Sequence, residues 1–226
     1  FMNKKLLFFL SSFVTLFSNV SLAAGEVEER MRLVSSLYYV LTIFVMFLGL
    51  VMMYQAALKL KRRTEDRNDT KAFPSAIIVT FFAGALAFNY SGTAGSMISS
   101  LLGSDKGYCF VLNDSIEDSK DLHTDNCWDS TNSEILGDIA DKVDEMESGK
   151  GDVLRENAKV IVGLFQFIGL IYFAKGIYGL KVTSEGQGKA TYGKSIMTMI
   201  LAALIIDLPH TLEFIKETLQ LIGFGT

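Results

Sequence analysis

Proline, cysteine, histidine and tryptophan are all scarce in this chain, and each shortage excludes something. Two cysteines, Cys109 and Cys127, among 226 residues cannot build a disulfide scaffold or a four-cysteine zinc site. Two histidines, His123 and His210, lie far apart. No Gly-x-Ser-x-Gly, His-Glu-x-x-His or Cys-x-x-Cys pattern occurs. His123 with Cys109 and Cys127 has no recognised ligand spacing, so neither a metal nor a cofactor is expected. Gly193-Lys194-Ser195 carries the tail of a phosphate-binding loop, but an apolar run follows directly, and a reverse turn before a helix is the better reading. These absences leave no catalytic constellation, and enzymatic activity is not expected. No basic face is backed by aromatic residues, so direct nucleic-acid binding is not expected either. With two prolines, long stretches run without a helix breaker.

What is present is segregated. Half the residues are hydrophobic, and they fall in long blocks with the charges between them. Lys4 and Lys5 precede the apolar Leu6–Val20, and Ser21-Leu22-Ala23 fits a small-x-small cleavage site. Residues 1–23 therefore read as a signal sequence, with an uncleaved anchor as the rival; both put Gly25 across the membrane. Leu37–Leu58 is a first charge-free block, ended by Lys59-Leu60-Lys61-Arg62-Arg63. A second runs from Pro74 to about Met97, and Gly92-Thr93-Ala94-Gly95 is a candidate break near its outer end. Val160–Tyr178, with Lys175 near its end, is a third. Ser195–Leu208 is a short fourth, with an amphipathic or tilted continuation over Thr211–Ile222. A helix needs about 20 residues to cross about 30 Å of hydrocarbon, so four spans are expected.

Charge sets the expected orientation. Lys59–Lys71 holds six basic and three acidic residues, and Lys175, Lys181, Lys189 and Lys194 flank the second short loop. Basic loops stay in the cytoplasm. Ser104–Asn157, with 15 acidic and five basic residues, then lies in the periplasm, on the side to which the signal sequence independently delivers it. That compartment permits a Cys109–Cys127 disulfide. The expected location is the bacterial inner membrane.

Set against itself at a lag of 120, the chain matches without gaps. Phe47-Leu48-Gly49-Leu50 lies over Phe167-Ile168-Gly169-Leu170, Leu60-Lys61 over Leu180-Lys181, Ser75 over Ser195 and Ala83 over Ala203. The expected fold is thus all-α: four transmembrane helices as two similar helical hairpins in parallel orientation, with a mostly irregular or helical periplasmic loop between. The division is 1–23 signal sequence, 24–103 first hairpin, 104–157 acidic loop and 158–226 second hairpin. Gly49, Gly84 and Gly169 allow close helix approach. Asp207 is the single acidic residue within a span, at a helix end or in a polar contact.

The first hairpin carries Gly49, Leu58-Lys59-Leu60-Lys61, Pro74 and Gly84-Ala85-Leu86. The second carries Gly169, Gly179-Leu180-Lys181, Gly193-Lys194-Ser195 and Leu208-Pro209. In these motifs the chain resembles the small inner-membrane proteins of type IVB (Dot/Icm) secretion, the DotE/IcmC and DotP/IcmD group, and their TraQ-like relatives in I-type conjugation. Asn89 and Lys194 depart from the pattern, standing where a closing and an opening proline belong. The resemblance implies a structural subunit of a secretion or conjugation apparatus. Its partners would be membrane lipid, other subunits and further copies of itself. A small four-span transporter or channel is the alternative.

Overall fold

The computed structural model describes residues 27–65, 73–103, 142, 150–186 and 191–222. Residues 1–23, Cys109 and Cys127 lie outside the described residues. Among those described, every element is a helix: α1 Val27–Glu65, α2 Pro74–Phe88, α3 Tyr90–Leu102, α4 Lys150–Ser184, α5 Tyr192–Ile206 and α6 Leu208–Leu221. Two of them are long and apolar enough to cross a membrane, over Arg32–Glu65 and Asn157–Ser184. There are up to four if each bent pair, α2 with α3 and α5 with α6, counts as one span.

The basic cluster ends the apolar stretch of α1 but not the helix, which continues through it to Glu65. Lysine and arginine are good helix formers and favour the negative end of the helix dipole. At its other end α4 likewise extends beyond its apolar stretch, starting at Lys150 inside the segment expected as loop. Hydropathy marks where a helix enters lipid, and it does not mark where the helix stops.

α2 begins where proline is harmless. Phe73 is extended (φ −58°, ψ 139°) and Pro74 occupies the first turn, where an amide hydrogen would have no partner. α5 begins at Thr191, whose side chain accepts a 3.4 Å hydrogen bond from the Lys194 amide. α2 runs antiparallel along α1 and also packs on α4; α5 packs on α4, and α1 touches α4. The shared core is built from small residues and a few large ones. Ala83, Ala94, Ala203, Leu170 and Phe173 are fully buried.

Neither α2 nor α5 continues straight. Asn89 (φ −99°, ψ 55°) and Asp207 (φ −110°, ψ 53°) leave the helical region, and the chain turns by 93° and 96° into α3 and α6. The first break thus lies before the glycine run at Gly92–Gly95. Both turns are closed alike. The Thr93 hydroxyl donates to the Leu86 carbonyl at 3.0 Å, and the Thr211 hydroxyl to the Leu204 carbonyl at 2.9 Å. The Thr93 amide bonds Asn89 and the Thr211 amide bonds Asp207.

These equivalent positions stand 118 residues apart, as do Ile78 and Ile196, Thr80 and Thr198, and Ala85 and Ala203. The long helices keep the lag of 120 through Gly49 and Gly169. The gap-free repeat is therefore corrected: the second copy is two residues shorter between its long and short helices. Two apparent departures disappear with it. Asn89 corresponds to Asp207 rather than to Pro209, and Pro74 corresponds to Tyr192, both opening their helices.

Each threonine satisfies a carbonyl that the broken helix would otherwise leave bare. Thr93→Val and Thr211→Val are each expected to lower stability by about 1 kcal/mol. Thermal unfolding in detergent, with Thr198→Val on the straight part of α5 as the comparison, measures it.

Candidate functional site: close helix contacts, a polar clasp and a buried carboxylate

The first feature is close backbone approach. A Cβ added to Gly49 would lie 2.5 Å from the Phe88 amide nitrogen and 2.8 Å from the Gly84 carbonyl oxygen. One on Gly84 would meet the Met53 amide nitrogen at 2.9 Å and the Gly49 carbonyl at 3.0 Å. These two glycines thus face each other across α1 and α2. Gly169 repeats the contact in the second copy, where its Cβ would fall 3.0 Å from the Ile206 amide nitrogen and 3.1 Å from the Ala202 carbonyl. Ala202 stands where the first copy has Gly84, so the second contact is looser on that side. Gly176 and Gly179, which periodicity did not single out, press against Met199 and Ser195 on α5. Their spacing of seven and ten residues from Gly169 on one helix was the available signal.

The second feature joins the two copies. Lys59 on α1 forms an ion pair with Glu185, just beyond α4, and Lys181 donates to Gln55 Oε1 at 2.6 Å. Lys181 also lies 4.0 Å from Glu185. All three charged side chains are largely buried, with exposures of 20% for Lys59, 13% for Glu185 and 12% for Lys181. Thr80 on α2 lies 3.4 Å from the Ser184 hydroxyl. One carboxylate therefore sits between two ammonium groups where α1, α2 and α4 meet. In the sequence these lysines mark only orientation. The convergence depends on α1 and α4 lying side by side, which one-dimensional spacing does not encode.

At the bends, Tyr90 donates its phenol to the Leu170 carbonyl and lays its ring on Phe173, 5.9 Å between centroids. This fixes the start of α3 against the middle of α4. Asp207 is 3% exposed and sits at the turn between α5 and α6. Its Oδ1 lies 2.7 Å from His210 Nδ1, while Oδ2 is buried with no hydrogen-bond partner. Of the two expectations for this residue, a helix end or a polar contact, it shows features of both: it ends α5 and it contacts His210.

Gly188 extends the Gly193-Lys194-Ser195 tail to the full Gly-x4-Gly-Lys-Ser spacing. The context is nevertheless wrong for a phosphate loop. A helix precedes it instead of a strand, and Ser195 is buried against Gly179 rather than facing a ligand. Among the described residues no group of three His, Cys, Asp or Glu side chains is placed to hold a metal. No family model matches the chain, and no curated protein or solved structure matches it.

Proposed function

We propose that this protein is a four-span inner-membrane subunit of a type IVB secretion or conjugative transfer apparatus. Its work is assembly, without covalent chemistry. The observation that carries this reading is the outward surface of α1. Only 22% of the apolar window of α1 is buried, against 50% for α4. Val40, Ile43, Phe44, Phe47, Leu50 and Tyr54 all point away from the bundle. Lipid covers such a face at no cost, and so does a neighbouring helix. Interfaces in membranes form by packing and not by hydrophobic drive. The two copies, each a hairpin with short basic connections at one end, hold this face on a rigid core. With the basic connections in the cytoplasm, the acidic segment lies in the periplasm, within reach of other subunits.

A transporter or channel is the second reading, favoured by the two broken spans and by the buried Asp207. One comparison separates them. Deleting the gene is expected to abolish effector or plasmid transfer while growth on single nutrients is unchanged. Pull-down of the tagged chain from gently solubilised membranes should recover other subunits. Normal transfer in the deletion strain, with a purified monomer that binds a small solute, would establish the transporter instead.

A further inference from the structure

The contact between the two copies is not two-fold. Gln55 and Lys59 on α1 and Thr80 on α2 meet Lys181, Ser184 and Glu185 at the end of α4. In a two-fold contact the equivalent residues would meet as well, Lys175 with Lys61 and Thr198 with Thr64. Lys175, Lys61, Thr64 and Glu65 are exposed instead. The copies are therefore joined head to tail, and such a contact leaves one unused half at each end of the molecule.

Both halves are visible in the burial pattern. Phe167 and Leu170 on α4 are buried, at 6% and 0% exposure, whereas their equivalents on α1, Phe47 and Leu50, are 62% and 48% exposed. Each arm touches its own long helix, α3 on α1 and α6 on α4, so the arms do not make the difference; the other copy does. On the opposite flank the pattern reverses. Met52, Ala83 and Ala94 of the first copy are buried, while Tyr172, Leu201 and Leu212, at the same positions of the second, are exposed.

Charge follows the same rule. Within the chain Glu185 lies between Lys59 and Lys181. On the unused halves, Glu65 and Lys61 hold the positions of Glu185 and Lys181. The lysine missing at Gly179 stands one turn earlier as Lys175, in the place of Gln55. Lys175 is exposed within the apolar stretch of α4, with its ammonium 5.3 Å from the centre of the Tyr172 ring. Tyr172 is one turn further from the basic end, so the ammonium is turned into that stretch and not toward the headgroups. Among the described residues no carboxylate pairs with Lys175, and a charge so placed calls for a partner.

We propose that copies of this chain assemble head to tail, α4 and α5 of one molecule against α1 of the next. The contact that joins its own two hairpins is repeated between molecules, and Lys175 pairs with Glu65 of the next molecule. The outer contact is wider than the inner one, because Leu201 and Leu212 stand where the inner one has Ala83 and Ala94. This rests on the assembly reading, and the two fail separately: a chain that binds other subunits but not itself would remain a subunit.

The test is cross-linking of the full chain in membrane vesicles, with Cys109→Ser and Cys127→Ser. Thr64 and Thr198 are the outer equivalents of Ser184 and Thr80, whose hydroxyls lie 3.4 Å apart, and α1 and α5 are not packed on each other within a chain. Under mild oxidation Thr64→Cys alone and Thr198→Cys alone should give no dimer. Co-expressed, they should give the mixed dimer, and both substitutions in one chain should give a ladder beyond the dimer. Lys175→Glu on the Thr198→Cys chain should cut the mixed dimer about tenfold, because like charges at a contact suppress pairing. Glu65→Lys on the Thr64→Cys chain should then restore it. A dimer from either single variant, or no mixed dimer from the pair, overturns the head-to-tail contact. Cross-linking indifferent to Lys175→Glu overturns the ion pair.

Discussion

Gly49→Ala is expected to destabilise the protein by about 1–3 kcal/mol, as overpacking does in closely packed cores, and Gly49→Leu to prevent α1 and α2 from closing. The reason is the identity of the opposing atoms. A methyl at Gly49 would meet the Phe88 nitrogen, the Gly84 oxygen and the Ala87 carbonyl carbon, all backbone. No rotamer change relieves that contact; the helices must separate. Separation would loosen Gly84 against Met53 at the same point. It would also shift Phe88 and the bend at Asn89, which starts the arm held by Tyr90 on Leu170. Gly193→Ala supplies the opposite sign. Nothing lies within 4 Å of a Cβ there, and glycine within a helix is worse than alanine by about 0.5–1 kcal/mol. Thermal or denaturant unfolding of the three variants, with helix content followed by circular dichroism, checks the order. A Gly49→Ala protein as stable as wild type would mean that α1 and α2 do not approach this closely.

The second large effect is expected at Glu185. Removing its carboxylate in Glu185→Ala leaves the Lys59 and Lys181 ammonium groups side by side, both mostly shielded from water. Breaking a fully buried pair costs about 3–5 kcal/mol. The residual exposure of this one brings the expectation to about 1–3 kcal/mol, since solvent screens what it reaches. Lys61 and Glu65 provide the reference. They form a 3.8 Å pair with exposures of 73% and 64%, and Lys61→Ala should change stability by less than about 0.5 kcal/mol. Adding Lys59→Met to Glu185→Ala should recover part of the loss, because only the Lys181 ammonium, which still donates to Gln55, then remains. A double-mutant cycle measures that coupling. If Glu185→Ala were no worse than Lys61→Ala, the clasp would hold nothing together.

Much of the helical content was legible because hydrophobic blocks of this length admit few alternatives. The three small-residue positions Gly49, Gly84 and Gly169 were legible for a related reason: glycine inside an uninterrupted apolar run has no conformational purpose there and leaves only close approach. The bends were harder to read. Asn89 and Asp207 are weak helix breakers by propensity, and Pro209 drew attention two residues past the true turn. The clearer signal was paired: Asn89 with Thr93 and Asp207 with Thr211, each spaced by four. A gap-free lag of 120 hides that correspondence, because a two-residue difference in a connecting loop shifts everything after it.

The sequence by itself determined that the chain is helical, that its apolar blocks are long enough for lipid, and where charge interrupts them. These are properties of composition and one-dimensional order, set by hydrocarbon thickness and by the need of every backbone amide for a partner. Only the tertiary structure decided which surfaces meet. It laid α4 beside α1, so that Lys59, Lys181 and Glu185 converge. It bent the chain between α5 and α6, and Asp207 at that bend is buried. Burial of a charge depends on what folds over it from elsewhere in the chain, and no local pattern around Asp207 carries that information.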